Sequence, residues 1–260
     1  MRKINFINPF GTDAYDGLIR QTLSPYADSN TELVISHLKD SPQNIDFYSY
    51  KHLAEQEIMD LIVESEKQGF NAVIVGCCYD PGVRTARELV DIPVIGPLEA
   101  SLQMASYFGH STSVVTDHYK AVPYLKDMVR TYGYDFQCLD ISCINWWVTD
   151  MIKNPLETAK DAFDAVKSEI QNKNVESVIL GCTIISACLE YAILKGKTEY
   201  LEYPILNPNT MALKMAESLA DLHKLGRYNL NRSGYYAKPI NHNEEEFKGV
   251  RNKFSKKVEI

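Results

Sequence analysis

A chain of 260 residues with 45% hydrophobic and 23% charged residues is of ordinary globular make-up and can bury one large core or two modest ones. Its formal charge of −7 excludes the basic surface of a general nucleic-acid binder and leaves small-molecule chemistry open. The apolar run near the N-terminus is too short for a secretory leader, and no uninterrupted apolar stretch reaches membrane-spanning length, so a cytoplasmic protein with reduced thiols and no membrane partner is expected.

Short β-branched apolar runs alternate with longer amphipathic stretches along almost the whole chain. Strands are expected at 4–8 and 32–37, then a helix over 52–67 whose Leu53, Ile58, Leu61 and Ile62 recur at helical spacing. Residues 72–76 form a continuous apolar run, as in a parallel strand buried on both faces. Asp80-Pro81-Gly82 opens a helix, since proline is favoured in a first turn. Strand 93–96, helix 98–108, strand 113–116, helix 122–132, strand 136–141, helix 155–171 and strands 177–181 and 204–206 follow, and a helix at 210–225 ends the series. Such alternation means an α/β fold with parallel sheets. From Arg227 the chain turns polar, with Tyr228, Tyr235 and Tyr236 and an acidic run Glu244-Glu245-Glu246, yet carries a net charge of about +4. That segment reads either as a partly ordered tail or as an arm packed on a neighbouring subunit.

Within this series lies a repeat. Val73-Ile74-Val75-Gly76-Cys77 recurs as Val178-Ile179-Leu180-Gly181-Cys182, and Pro93-Val94-Ile95-Gly96-Pro97 as Pro204-Ile205-Leu206-Asn207-Pro208, at offsets of 105 and 111 residues. Strand 4–8 has its counterpart at 113–116. Three landmarks in one order predict two similar α/β units, the first from 1–97 with 209–225 and the second from 98–208, followed by an extension at 226–260.

Six cysteines are present, at Cys77, Cys78, Cys138, Cys143, Cys182 and Cys188, and none has the paired spacing of a zinc site. No phosphate loop or GxGxxG motif occurs, so neither metal nor cofactor is expected. Ligands of open parallel sheets bind beyond the carboxyl ends of the strands, where Cys77 and Cys182 both fall. A helix starting after each would lower the thiol pKa, and the preceding glycine would let backbone approach a ligand. If the units face each other, the thiols meet across one cleft. Two monoprotic groups on opposite faces of an acidic carbon are what inversion of a stereocentre without a cofactor requires, one removing a proton and the other returning one.

Gly76-Cys77-Cys78-Tyr79-Asp80-Pro81-Gly82 resembles the Cys-Phe-x-Asp-Pro-Gly signature of hydantoin racemases, within the aspartate/glutamate/hydantoin racemase superfamily. Asn8-Pro9 is similar to that family's Asn-Pro-Asn opening. Val114-Val115-Thr116, Val122-Pro123 and Tyr132-Gly133 resemble its second-half pattern, and Leu180-Gly181-Cys182 its second cysteine motif. The similarity covers about residues 1–225. It implies two pseudo-symmetric flavodoxin-like parallel-sheet units with the active site between them, and a cofactor-independent racemase or epimerase with catalytic Cys77 and Cys182.

The Asp80-Pro81-Gly82 register places the first catalytic position on Cys77; Cys78 lines the substrate site or simply packs. Thr183 follows Cys182 as in the amino-acid racemases, and its hydroxyl either holds a substrate oxygen or caps a helix. Asn8 either contacts substrate or forms an Asx turn, and Thr116 and His118 end or follow a strand on the cleft side. Asp80 either orients the first thiol or caps its helix. Phe10, Tyr79 and Trp146-Trp147 depart from the family pattern and point to a larger or more aromatic pocket, or to plain core. Candidate substrates are a cyclic ureide such as a 5-substituted hydantoin or allantoin, or free aspartate or glutamate. The alternatives are a maleate-type isomerase or decarboxylase of the same superfamily, a non-catalytic two-lobed binding protein, or a redox sensor built on Cys77-Cys78. A homo-oligomer acting on a small molecule, with no nucleic-acid partner, completes the expectation.

Overall fold

The alternating pattern resolves, in a computed structural model that describes residues 1–238 and 240–254, into two four-stranded parallel sheets. The first contains β1 (Arg2–Asn8), β2 (Thr31–His37), β3 (Ala72–Val75) and β4 (Val94–Ile95), in the order β2-β1-β3-β4. The second contains β5 (Thr112–Thr116), β6 (Cys138–Cys143), β7 (Ser177–Leu180) and β8 (Ile205–Leu206), in the order β6-β5-β7-β8. The two orders are the same arrangement repeated, so the sequence repeat is a structural duplication. The registers agree as well: Ile74 pairs with Ile95 as Ile179 pairs with Leu206. β3 and β7 are buried along their whole length, which explains why both read as unbroken apolar runs. Val73, Ile74 and Val75 expose nothing, each stabilising the fold by roughly 1.5–3 kcal/mol through burial.

Helices α1 (Asp16–Leu23), α2 (Tyr48–Lys67), α3 (Val83–Leu89) and α4 (Pro97–Ala105) accompany the first sheet in the chain; α5 (Ala121–Tyr132), α6 (Val148–Met151), α7 (Pro155–Lys173) and α8 (Thr183–Leu194) accompany the second. α9 (Pro208–Lys224) returns to pack on β1, β3 and β4, while α4 packs on α9 and on β7. The helix following the last strand of each sheet therefore reaches the other unit, and the two units are knitted by exchange. No helix among the described residues is long and apolar enough to cross a membrane.

Four helices lack a sequence-level signal. In α8, Thr-Ile-Ile-Ser-Ala-Cys-Leu is buried without a break, so no polar face marks a helical period. α1 and α6 are short, and α10 (Ile240–Lys253) lies in the polar extension. Over its described residues that extension packs against the chain's own first unit. Arg232 donates to the Arg87 and Val90 carbonyls at 2.6 Å each and pairs with Asp91, which Lys238 also meets at 2.9 Å. Phe247 is buried, and Arg251 donates to the Leu89 carbonyl at 3.0 Å. The positive tail is thus clamped onto its own first unit at the α3–β4 connection.

Candidate active site

At the carboxyl ends of β3 and β7 a small, nearly closed pocket of about 10 Å³ lies between the two units. Cys77, Tyr79, Cys182 and Thr183 line it together with Asp46 and Asp117, and Phe10, Ile45, Val148 and Gly181 complete the wall. Larger hollows of about 250, 190 and 350 Å³ exist elsewhere, but none of them is lined by Cys77 or Cys182. This smaller pocket draws on the strand ends of both units.

The glycines before the two cysteines have a different reason from backbone approach to a ligand. A Cβ on Gly76 would stand 2.2 Å from the Phe6 ring and 2.9 Å from the Ile7 oxygen; on Gly181 it would stand 2.5 Å from Val114 Cγ1. Each strand must cross its neighbour this closely to bring the next residue into the pocket, and only glycine permits it. The Thr183 hydroxyl donates to the Gly76 carbonyl oxygen at 2.9 Å and so ties one cysteine loop to the other. That bond engages its proton and leaves its oxygen able to accept, while the N-cap position of α8 belongs to Cys182.

Cys182 sits at the N-cap of α8, with the Ile184 and Ile185 N–H groups directed at its sulfur. The Tyr79 N–H reaches Cys77 Sγ at 3.4 Å. These donors favour a thiolate, as expected at a helix start, but they are outweighed. Burial, followed by the carboxylates of Asp117, Asp80 and Asp46, pushes the Cys77 thiol well above its ordinary range. Burial and Asp117 do the same to Cys182, which is 8% exposed. Burial, with the surrounding acids adding to it, therefore raises both thiols, where helix position alone led to the expectation of a lowered pKa.

Asp46 and Asp117 belong to a buried cluster with His118. His118 Nε2 lies 3.7 Å from Asp46 Oδ1 and 3.9 Å from Asp117 Oδ1, and its ring stacks on Trp147 at 4.4 Å. Burial alone would lower the imidazole pKa, but the two carboxylates prevail and raise it. Burial, aided by Asp46 and opposed by His118, raises Asp117 to about 6. One ligand atom from each of the three lies within 4.8 Å of the others, a set able to hold a cation; an imidazolium proton shared toward the two carboxylates uses the same geometry.

Two thiols at equivalent strand ends of a duplicated fold, facing one pocket, agree with what the sequence matches. Residues 4–216 fit the family described as Asp/Glu/hydantoin racemase. The chain belongs to this family. It is 30% identical over 222 residues to a hydantoin racemase of Pseudomonas sp. (strain NS671), a match covering 85% of this chain and 87% of that protein. Its fold is that of an allantoin racemase from Klebsiella pneumoniae, with a TM-score of 0.82 at 23% identity over 92% of this chain and 94% of that one. An allantoin racemase from Pseudomonas fluorescens superimposes with a TM-score of 0.80 at 25% identity, over 91% and 97% of the two chains. The protein is thus an isomerase of the racemase type.

Of the site residues expected from sequence, this racemase brings Cys77, Tyr79, Cys182 and Thr183 to the pocket wall. Thr116 and His118 stand behind it: the Thr116 hydroxyl lies 3.0 Å from Asp117 Oδ1 and 3.1 Å from the Gly181 oxygen, and His118 is 1% exposed. Cys78 points away, its thiol 3.7 Å from the Leu180 carbonyl in the core. Asn8 Nδ2 donates to Asp16 at 2.5 Å, and its Oδ1 is buried without a partner. Asp80 caps neither its own helix nor a thiol. It accepts the Leu98 and Glu99 N–H groups at the start of α4, at 3.2 and 2.9 Å, and the Tyr132 hydroxyl at 2.8 Å. Asp46 and Asp117 went unnoticed in the sequence. Asp117 carried a usable signal, since it directly follows β5 at the same sheet end as the cysteines. Asp46, in an irregular stretch before α2, carried none.

Proposed function

We propose that this racemase inverts the acidic stereocentre of a hydantoin-like cyclic ureide, moving protons through Cys77 on one face and Cys182 on the other. The observation that carries the reading is that the two equivalent strand ends deliver one thiol each to a single pocket. In one direction a thiolate takes the proton of the C–H bond; the electron pair is delocalised onto the adjacent ring carbonyl. The opposite thiol then delivers its proton to carbon, so the thiolate and thiol have exchanged places and the next turnover starts from the other enantiomer. Burial and the neighbouring acids raise both thiols, so the reactive form requires one thiol to pass its proton to solvent before the C–H proton is taken.

Two carboxylates and no lysine or arginine line the pocket. A second carboxylate on the substrate would be repelled there, which sets a neutral ureide above free aspartate, glutamate or a maleate-like diacid. The hydantoin racemase named among the relatives supports the same class.

The test is exchange of the stereocentre proton in D2O across 5-substituted hydantoins, allantoin, aspartate and glutamate, with cis–trans isomerisation of maleate followed in parallel. Exchange and racemisation of a ureide are expected in the native protein, with Cys77→Ser and Cys182→Ser each losing roughly 10²–10⁴-fold in racemisation, the range general acid–base groups supply. Undiminished racemisation by either variant would remove the two-thiol mechanism; turnover of maleate alone would replace the reading with an isomerase.

A further inference from the structure

Asp46 and Asp117 are buried on the pocket wall, 6% and 5% exposed, and the protein leaves them incompletely matched. Asp117 Oδ1 accepts the His118 N–H at 2.8 Å and lies 3.0 Å from the Thr116 hydroxyl, but among the described residues Oδ2 accepts no hydrogen bond. Asp46 has the His118 imidazole at 3.7 Å as its side-chain partner. Even with His118 protonated, one cation faces two carboxylates, and no lysine or arginine lines the pocket. Charges held this far from water require a partner of opposite sign, or donors of hydrogen bonds, to offset their lost hydration. With the thiols neutral, the cluster carries one negative charge more than positive, and forming the thiolate adds another.

We propose that Asp46 and Asp117 are specificity-determining residues that receive a cationic substituent, of guanidino or ammonium type, carried on the stereocentre of the ring. A cation there restores the charge balance and supplies N–H donors to Asp117 Oδ2 and Asp46. It also opposes the carboxylates that add to burial in raising the thiols, so the group that is recognised favours the reactive form of the enzyme. Phe10 and Tyr79 add aromatic faces on the same wall, against which a planar guanidinium packs well. The inference rests on the cyclic-ureide reading above and names the substituent that reading leaves open.

The test compares three hydantoins in the native protein: one with a 3-guanidinopropyl group at C5, one with an alkyl group of matching length, and one with a carboxyethyl group. Enzyme-dependent exchange of the C5 proton in D2O gives kcat/KM for each. The guanidino compound is expected to exceed the alkyl compound by roughly 10- to 100-fold, the worth of a hydrogen bond to a charged group, and the carboxyethyl compound to fall below it. In Asp117→Asn and Asp46→Asn the guanidino-to-alkyl ratio should shrink at least fivefold or so, whatever happens to the absolute rates, since each ratio is internal to one protein. Equal rates for guanidino and alkyl hydantoins in the native enzyme would overturn the proposal while leaving the racemase reading intact, and so would a ratio unchanged in both variants. Failure of every hydantoin to exchange would remove the ureide reading itself and this inference with it.

Discussion

Replacing Asp117 with asparagine should make the Cys77 thiol more reactive, and the size of the change follows from the pocket. Asp117 and Cys77 line the same pocket, and the Asp117 charge is among those that raise the Cys77 thiol. A unit charge at ~8 Å, with an effective dielectric near ~20, contributes about 2 kcal/mol, or about 1.5 pH units of thiol pKa. At pH ~8 the native carboxylate, with its pKa raised to about 6, is ionised, so the whole effect is present. Lowering a thiol pKa raises the thiolate fraction by ~30-fold but weakens each thiolate as a nucleophile, with a Brønsted coefficient of about 0.4–0.5 toward disulfides, so a net acceleration of about sixfold remains. The assay is the rate of mixed-disulfide formation at Cys77 with a small neutral disulfide, located by peptide mapping so that Cys143, also partly exposed, does not contribute. An unchanged or slower rate at Cys77 would show that the Asp117 charge does not govern the thiol, and the electrostatic account of the site would fall.

Other consequences are measurable on the same protein. In Gly181→Ala the new methyl meets Val114 Cγ1 at 2.5 Å and Leu125 Cδ1 at 3.2 Å, so the fold should lose about 1–3 kcal/mol in urea titration. Racemisation should fall more steeply than stability in this variant, because Cys182 is displaced. The folded-state pKa of Asp117 lies above its ordinary value, so the folded protein binds the extra proton and loses stability as pH rises from about 4 to about 6, by as much as about 3 kcal/mol. Asp117→Asn should therefore be stabilised relative to the native protein at pH ~7 but not at pH ~4, and equal urea midpoints at both would refute this. Arg232→Ala removes two 2.6 Å bonds to the Arg87 and Val90 carbonyls and should cost about 2 kcal/mol with kcat unchanged; an unaltered midpoint would mean the tail contributes nothing.

The duplicated fold was legible because its signal is redundant. β3 and β7 are buried on both faces and must be apolar throughout, and each must end in glycine to pass Phe6 or Val114. The position of the two thiols followed from the same two strands. The charge environment did not follow, because it depends on what folds over the strand ends from elsewhere. Asp46 arrives from an irregular stretch before α2, and Asp80 turns to the start of α4 by adopting a left-handed backbone with φ of 44°. Neither placement has a periodicity. The docking of the tail was hidden for a similar reason: its positive charge was readable, while its partner at Asp91 and the carbonyls at the end of α3 emerge only in three dimensions.

The two halves of the site therefore carry different demands. The repeat supplies symmetry, one thiol per face, and symmetry is what a reaction running equally in both directions needs. The acids break it: Asp117 raises both thiols, whereas Asp80 and Asp46 act on Cys77, and the α8 N–H groups favour the thiolate of Cys182 alone. Burial is the largest influence on both thiols, and each also has backbone donors, the Tyr79 N–H at Cys77 and the α8 N–H groups at Cys182. A cation seated at Asp46 and Asp117 opposes charges that raise Cys77 and, through Asp117, Cys182 as well. Substrate recognition and formation of the reactive thiolate would then be one interaction, and deleting either acid should lower kcat/KM for both enantiomers by the same factor, because the equilibrium between enantiomers fixes their ratio.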